Sequence, residues 1–318
     1  MRNKFTIFLI ILFSVADAQN KSSIPMIVSL SSFYSKVPSF GISHYFYKDY
    51  TTGGIFTASE GISYYFSNKK LNITWDTTKF PNTSSNNNYF NRSSHGYSAE
   101  DFSKIYLWQI AEQSSINLNN VDLFLTFRKY WKDEIHRQSI SQSNFFNLAS
   151  TPFQIKYLKE PEVFLPIALA AGASLIGKSQ DKTLFDAKSI NIFGKDFQAP
   201  EGSTIKIFTD YVYFTLVAIS EEMLFRGMLQ TSISESVNPN FGLVVSSILF
   251  GLAHLPNHSW FYSLRAMVAG FYFGWQYQKY NNDLGRVIAL HFQIDFLPVL
   301  ISFFKSPSQS NGVYKVGY

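Results

Sequence analysis

Glu221-Glu222-Met223-Leu224-Phe225-Arg226 places three charges inside a stretch that is otherwise apolar. The run before it, Tyr211 to Ile219, is almost uncharged and reads as part of a membrane-spanning helix. A charged side chain at the bilayer centre costs roughly 2.5–3.5 kcal/mol on insertion scales, so charges there are rare and pair with one another. On a helix Glu222 and Arg226 lie four residues apart on nearly one face and can share their charge. Glu221 is turned about 100° away from Glu222, which leaves it to face the interior of a bundle, where a carboxylate can take a proton from water.

Four further apolar runs surround this one. Phe164 to Ile176, Lys206 to Gln230 (the run carrying the glutamates), Phe241 to Leu255, Phe261 to Tyr280 and Arg286 to Phe304 give five candidate helices. The pattern predicts an all-α membrane protein, a multi-helix transmembrane bundle filling the C-terminal half. The run ending at Pro256 is short for a hydrocarbon core of about 30 Å and is expected to be tilted or partly inserted. Trp260, Tyr262, Trp275, Tyr277 and Tyr280 suit interfacial belts around the fourth helix. Lys178, Lys182, Lys188 and Lys195 follow the first helix and favour a cytoplasmic loop there.

The N-terminal half has a different character, so the 318 residues divide into unlike regions. Arg2 and Lys4, an apolar run from Phe5 to Val15, and Ala16-Asp17-Ala18 have the form of a secretory signal peptide over 1–18. Residues 19–160 are polar and aromatic without a long apolar run, and are expected to be an extracytoplasmic region of mixed structure. Gly41-Ile42-Ser43-His44-Tyr45-Phe46 and Gly61-Ile62-Ser63-Tyr64-Tyr65-Phe66 are alike and rich in strand formers. With Thr51-Thr52-Gly53-Gly54 between them they suggest a β-hairpin. Thr83 to Asn91 reads as an exposed loop, and 101–138 as an amphipathic helical stretch anchored by Trp108, Phe124 and Trp131. Asn72-Ile73-Thr74 and Asn91-Arg92-Ser93 match the glycosylation acceptor pattern. Residues 161–305 hold the bundle, and 306–318 form a polar tail.

Composition excludes several chemistries. The absence of cysteine removes disulfides, thiolate zinc ligands and a thiol nucleophile together. A net charge of +5 without a dense basic cluster gives no footprint for nucleic acid.

The later apolar runs carry their own polar residues. His254 closes Phe250-Gly251-Leu252-Ala253-His254, and His291 and Asp295 bound His291-Phe292-Gln293-Ile294-Asp295. Singly, each has a structural reading: Glu222–Arg226 as an intramembrane ion pair, His254 as a satisfied buried ring, His291 with Asp295 as a helix bridge. His258, in the loop Pro256-Asn257-His258, reads as solvated. Together, a Glu and two His from separate helices are the ingredients of a hydrolytic centre. Glu221, His254 and His291 match a zinc ligand set. The same groups work without metal if Glu221 and His254 activate water while His291 and Asp295 stabilise the oxyanion. Asp295 can also orient the imidazole or bond to substrate.

Glu221-Glu222-x-x-x-Arg226, Phe250-x-x-x-His254 and His291-x-x-x-Asp295 resemble the three motifs of the CPBP intramembrane proteases, the CAAX protease, bacteriocin-processing or Abi family, over about residues 160–305. The third motif of that family often ends in Asn where this chain has Asp295. The resemblance implies a glutamate-dependent endopeptidase, often described as a metalloprotease, acting on a protein or peptide substrate in a lipid bilayer, for bacterial members the inner (plasma) membrane. It makes Glu221 the general base, His254 its partner or a metal ligand, and His291 the oxyanion stabiliser or second ligand, with Glu222 and Arg226 setting the geometry. The competing expectations are a non-catalytic immunity or scaffold protein and a proton-relay transporter that uses the same buried groups.

Overall fold

The structure, a computed structural model, describes residues 28, 30, 32, 38–68, 99–127, 144–176, 189–192, 195–255 and 259–305. The signal-like segment 1–18, the acceptor patterns at 72–74 and 91–93, the loop 83–91, Trp131, Lys178, Lys182, Lys188, His258 and the tail 306–318 lie outside the described residues.

In chain order the helices are α1 (Ile42–Phe46), α2 (Tyr50–Asn68), α3 (Ala99–Phe127), α4 (Phe145–Ser150), α5 (Ile155–Leu158) and α6 (Pro161–Ile176), with a 3₁₀ turn over Thr151–Phe153. A small antiparallel hairpin, β1 (Ser189–Ile192) with β2 (Lys195–Gln198), pairs Ser189 with Gln198 and Ile192 with Lys195. It leads into α7 (Ala199–Glu222), a π-helical segment (Met223–Gln230), α8 (Thr231–Ser236), α9 (Pro239–His254), α10 (Trp260–Lys279) and α11 (Leu284–Lys305). Each of the five apolar runs is therefore a helix, and the C-terminal half is the expected all-α bundle.

The helix starts follow from local chemistry. Asn238 precedes Pro239, and its side chain accepts from Phe241 N at 2.9 Å, so α9 opens with both an N-cap and a proline at its first position. Ser259 accepts from Tyr262 N at 3.2 Å to start α10. Asp283 accepts from Arg286 N at 3.3 Å at the start of α11, after a turn in which Asn281 and Asn282 take left-handed backbone angles. These caps fix where His254 and His291 fall along their helices.

Small residues let the helices approach closely. A Cβ on Gly251 of α9 would stand 2.7 Å from Ser263 O and 2.8 Å from Met267 N of α10. Gly270 and Gly274, one turn apart on α10, receive the π segment and α9 in the same way. The remaining core helix, α11, packs on α6, α7 and α10. The outside is apolar: Phe164, Leu165 and Leu169 on α6, Val244 and Ile248 on α9, and Val268 and Phe271 on α10 are exposed. An apolar exterior around a charged centre is the arrangement a bilayer demands. Among the described residues one helix, over Leu284–Ile301, is long and apolar enough to cross a membrane; the apolar helices Pro161–Ile176 and Pro239–His254 are shorter.

The suggested β-hairpin is instead helical. Asp49 caps α2 through Thr52 N (3.1 Å), so Thr51-Thr52-Gly53-Gly54 form its first turn rather than a reversal. The chain reverses earlier, at Tyr47-Lys48-Asp49, where Lys48 has φ 60°. A buried polar face hid the helical period: Glu60, Ser63 and Ser67 are buried while Ile55, Ile62 and Tyr65 are exposed. Asn119 of α3 holds this face, donating to Glu60 Oε1 (2.5 Å) and Ser39 Oγ (2.7 Å) and meeting His44 Nε2 at 2.9 Å. Burial holds the Glu60 carboxyl above its ordinary range, against the lowering effect of the Asn119 and Phe40 donors.

Gly274 is a position where volume decides stability. A Cβ there would meet Gln230 Oε1 at 2.6 Å and Leu243 Cδ1 at 2.7 Å, whereas one on Gly172 would meet nothing within 4 Å. Thermal unfolding in detergent should therefore show Gly274→Ala destabilised by about 1–3 kcal/mol. Gly172→Ala should be neutral or stabilised by up to about 1 kcal/mol.

Candidate active site

Glu221 and Glu222 end α7, and the helix widens at once into the π segment, whose residues Met223 to Gln230 are all buried. Single π turns within helices concentrate at functional sites. Thr231 Oγ1 donates to Arg226 O at 2.9 Å and satisfies a carbonyl at the return to α-geometry.

The centre of the site is the Glu222 carboxylate, which is fully buried. Its Oε1 accepts from Arg226 Nη1 at 3.0 Å and from His291 Nδ1 at 2.7 Å. Arg226 also donates from Nη2 to Gly270 O at 2.9 Å, and its guanidinium lies 4.4 Å over the Phe250 ring and 5.3 Å from that of Phe273. One arginine thus joins the π segment, α9 and α10 through a charge-assisted bond and cation–π contacts.

His291 is held between carboxylates. Its Nε2 is 3.2 Å from Asp295 Oδ2 and 3.9 Å from Glu221 Oε2, while Nδ1 faces Glu222. Each ring nitrogen therefore faces its own carboxylate oxygen, one from α7 and one from the next turn of α11. His254 differs. Its Nδ1 lies 2.8 Å from Phe250 O, and since a carbonyl only accepts, Nδ1 is the donor of that bond. His254 stands 5.0 Å from the Phe250 ring and 5.8 Å from that of Tyr262.

Phe250 therefore touches all three motifs, with Arg226 above it, His254 one turn along α9 and His291 edge-on at 5.9 Å. The structure gathers Glu221, Glu222, Arg226, His291 and Asp295 by direct polar contacts or close approach, and brings His254 to the group through this ring. Glu221 is slightly exposed where Glu222 is fully buried. Asp295 is about one-third exposed, on the open side of the site.

Two kinds of residue escaped the sequence reading. Gln230, fully buried one step beyond Arg226, donates to Gly274 O at 3.0 Å and accepts from Ser246 at 3.2 Å, repeating the Arg226–Gly270 contact one turn on. The spacing of Arg226 and Gln230 against Gly270 and Gly274 was the signal available. Tyr213 and Tyr262 bring phenols within electrostatic reach of Glu221 and Asp295. In a chain this rich in tyrosine nothing marked them out.

The suggested metal set is a separate matter. Among the described residues no group of three or more His, Asp or Glu side chains gathers so as to hold a metal ion. Both nitrogens of His291 are directed at carboxylates. The arrangement does not fit a Glu221/His254/His291 zinc ligand set, and no step below runs through a metal.

Fold and site together define an all-α membrane bundle with an ionisable centre buried where its helices cross. Residues 204–297 match the family model described as Type II CAAX prenyl endopeptidase Rce1-like, a match that supports a CPBP/CAAX protease assignment for this span. The matched span includes all six motif residues from Glu221 to Asp295. No curated protein and no solved structure matches the chain.

The two adjacent glutamates should separate in stability. Removing Glu222 leaves Arg226 buried without its counter-charge, so Glu222→Ala is expected to lose about 3–5 kcal/mol, read as a lower unfolding temperature in detergent. Glu221→Ala should lose no more than about 1 kcal/mol, since Glu221 carries none of the Arg226 pairing.

Proposed function

We propose that the chain is an intramembrane endopeptidase of CAAX-protease type, hydrolysing a peptide bond of a membrane-associated protein or peptide with residues 161–305 as its catalytic unit. The observation that carries this reading is the unequal setting of the two glutamates. Glu222 bonds to both Arg226 and His291 Nδ1, while Glu221, its neighbour on the helix, brings an oxygen to 3.9 Å from the other ring nitrogen, His291 Nε2.

In this scheme Glu221 takes a proton from water as the oxygen attacks the scissile carbonyl, and His254 assists from α9. The developing oxyanion is stabilised by His291, which Glu222 holds from beneath. Asp295 orients His291; as a carboxylate it accepts a hydrogen bond and cannot donate one to the oxyanion. Glu221 then passes the proton to the leaving amine. Arg226 and Glu222 hold the frame. The bilayer is the expected surrounding, the inner (plasma) membrane of a bacterium the proposed location, with residues 19–160 on the extracytoplasmic side.

A non-catalytic scaffold or a proton relay needs the same buried polarity, and a cleavage assay separates them. The purified chain in detergent micelles should cut an internally quenched farnesylated peptide ending in a CAAX sequence. Glu221→Ala should abolish cleavage while expression and membrane insertion stay native, with His254→Ala and His291→Ala falling at least about 100-fold, in line with general acid–base and oxyanion groups. Undiminished turnover by Glu221→Ala would remove the general-base assignment.

A further inference from the structure

The glutamate motif is gripped from behind by a helix that lies outside the family match. Ser220, immediately before Glu221, donates from Oγ to Asn117 Oδ1 of α3 at 2.7 Å, and both residues are buried. Gly227, immediately after Arg226, faces the buried ring of Phe124: a Cβ on Gly227 would stand 2.5 Å from Phe124 Cε2 and 2.8 Å from Cζ. The two contacts bracket the charged motif at its two ends.

Their register is regular. Asn117 to Phe124 and Ser220 to Gly227 are both steps of seven residues, two turns or about 10 Å along α3. The helices therefore meet in parallel along one stripe, with buried Val121 between the contacts. Ser220 lies about 200° round the helix from Glu222, so α3 backs the side of the motif helix away from His291 and Arg226's partners on α10. Rotation of α7 about its own axis, which decides where the Glu221 carboxylate points, is opposed on this side by the Asn117–Ser220 bond and the Phe124 ring. The grip is itself anchored: Asn119, two residues along α3, is tied to Glu60, Ser39 and His44, and Ser59 meets Ser115 at 2.7 Å.

We propose that α3 is a positioning element of the active site, in which Asn117, through Ser220, sets the rotation of the helix that presents Glu221. The N-terminal region then contributes to turnover without touching substrate. This rests on the reading of Glu221 as the general base.

The test uses the purified full chain in micelles with the farnesylated quenched peptide. Asn117→Ala and Ser220→Ala should each lower kcat about tenfold, the rate equivalent of one lost buried hydrogen bond, at unchanged KM. The double variant should lose no more than either single change, and Ser220→Thr, which keeps the hydroxyl, should retain native kcat. Native kcat in both alanine variants, or losses that multiply in the double variant, would overturn the positioning role. Because the sequence has no cysteine, Asn117→Cys combined with Ser220→Cys reports the contact itself through an oxidative crosslink that needs no activity. Failure to crosslink would overturn the placement of α3. A Glu221→Ala variant that cleaves like the native chain sinks the proposed chemistry; native kcat in Asn117→Ala beside an inactive Glu221→Ala sinks only the positioning role.

Discussion

A single carboxylate oxygen, Glu222 Oε1, accepts from both Arg226 and His291, and the arrangement of the bundle follows from that double bond. A buried arginine without a counter-charge would destabilise the fold, and a buried ring N–H without an acceptor would do so too. Sharing one acceptor neutralises part of both costs and fixes the distance between the motif helix and α11. Arg226 extends the constraint to α10 through Gly270 O and to α9 through the Phe250 ring. Four helical segments are thus registered against one ionic group. In an apolar surrounding, where helices gain little by hiding apolar surface from one another, such polar contacts are what specify a unique packing.

Much of this was legible in the residues. The charges of Glu221, Glu222 and Arg226 stood out because they interrupt apolar sequence, and the fourfold spacings placed each polar pair on one helix face. The helical period survives in the five apolar runs because their length, more than their amphipathicity, carries the signal. What failed was the N-terminal half. There the usual relation between polarity and exposure is inverted, with α2 burying Glu60, Ser63 and Ser67 and exposing Ile55 and Ile62. A reading that sought alternating apolar residues found strand formers and a Gly-Gly turn. The helix was announced instead by Asp49, a capping residue three positions before the amide it satisfies. The site's supporting layer was also illegible, since Gln230 and the glycines of α10 acquire meaning only when two helices are brought together.

The same inversion explains why α3 belongs with the bundle rather than apart from it. Read by itself, the stretch around Asn117, Asn119 and Asn120 resembles a solvated helix face. In the fold these side chains are buried, and Asn117 and Asn119 find their partners among polar groups brought from α1, α2 and α7. Buried asparagines that satisfy specific partners stabilise little relative to apolar packing. They penalise every alternative alignment, in which the same amides would be left without partners.

The pairing of two glutamates in sequence acquires a physical reason from this geometry. Glu222 accepts from Arg226 and His291 through one oxygen and so is committed to holding the frame. Glu221 takes no part in those two bonds and approaches His291 from the Nε2 side. Adjacent positions on a helix diverge by about 100°, so two neighbouring glutamates reach different nitrogens of the same His291 ring. Glu222 is closed off completely and Glu221 retains a small exposure beside His291 Nε2. The passage into π-geometry directly after Glu222 keeps Arg226 and Gln230 aligned with Gly270 and Gly274 while the glutamates stay divergent. In the proposed chemistry the frame and the general base are separated by one peptide unit, so the support that α3 gives to Ser220 acts on both glutamates through the same turn of helix.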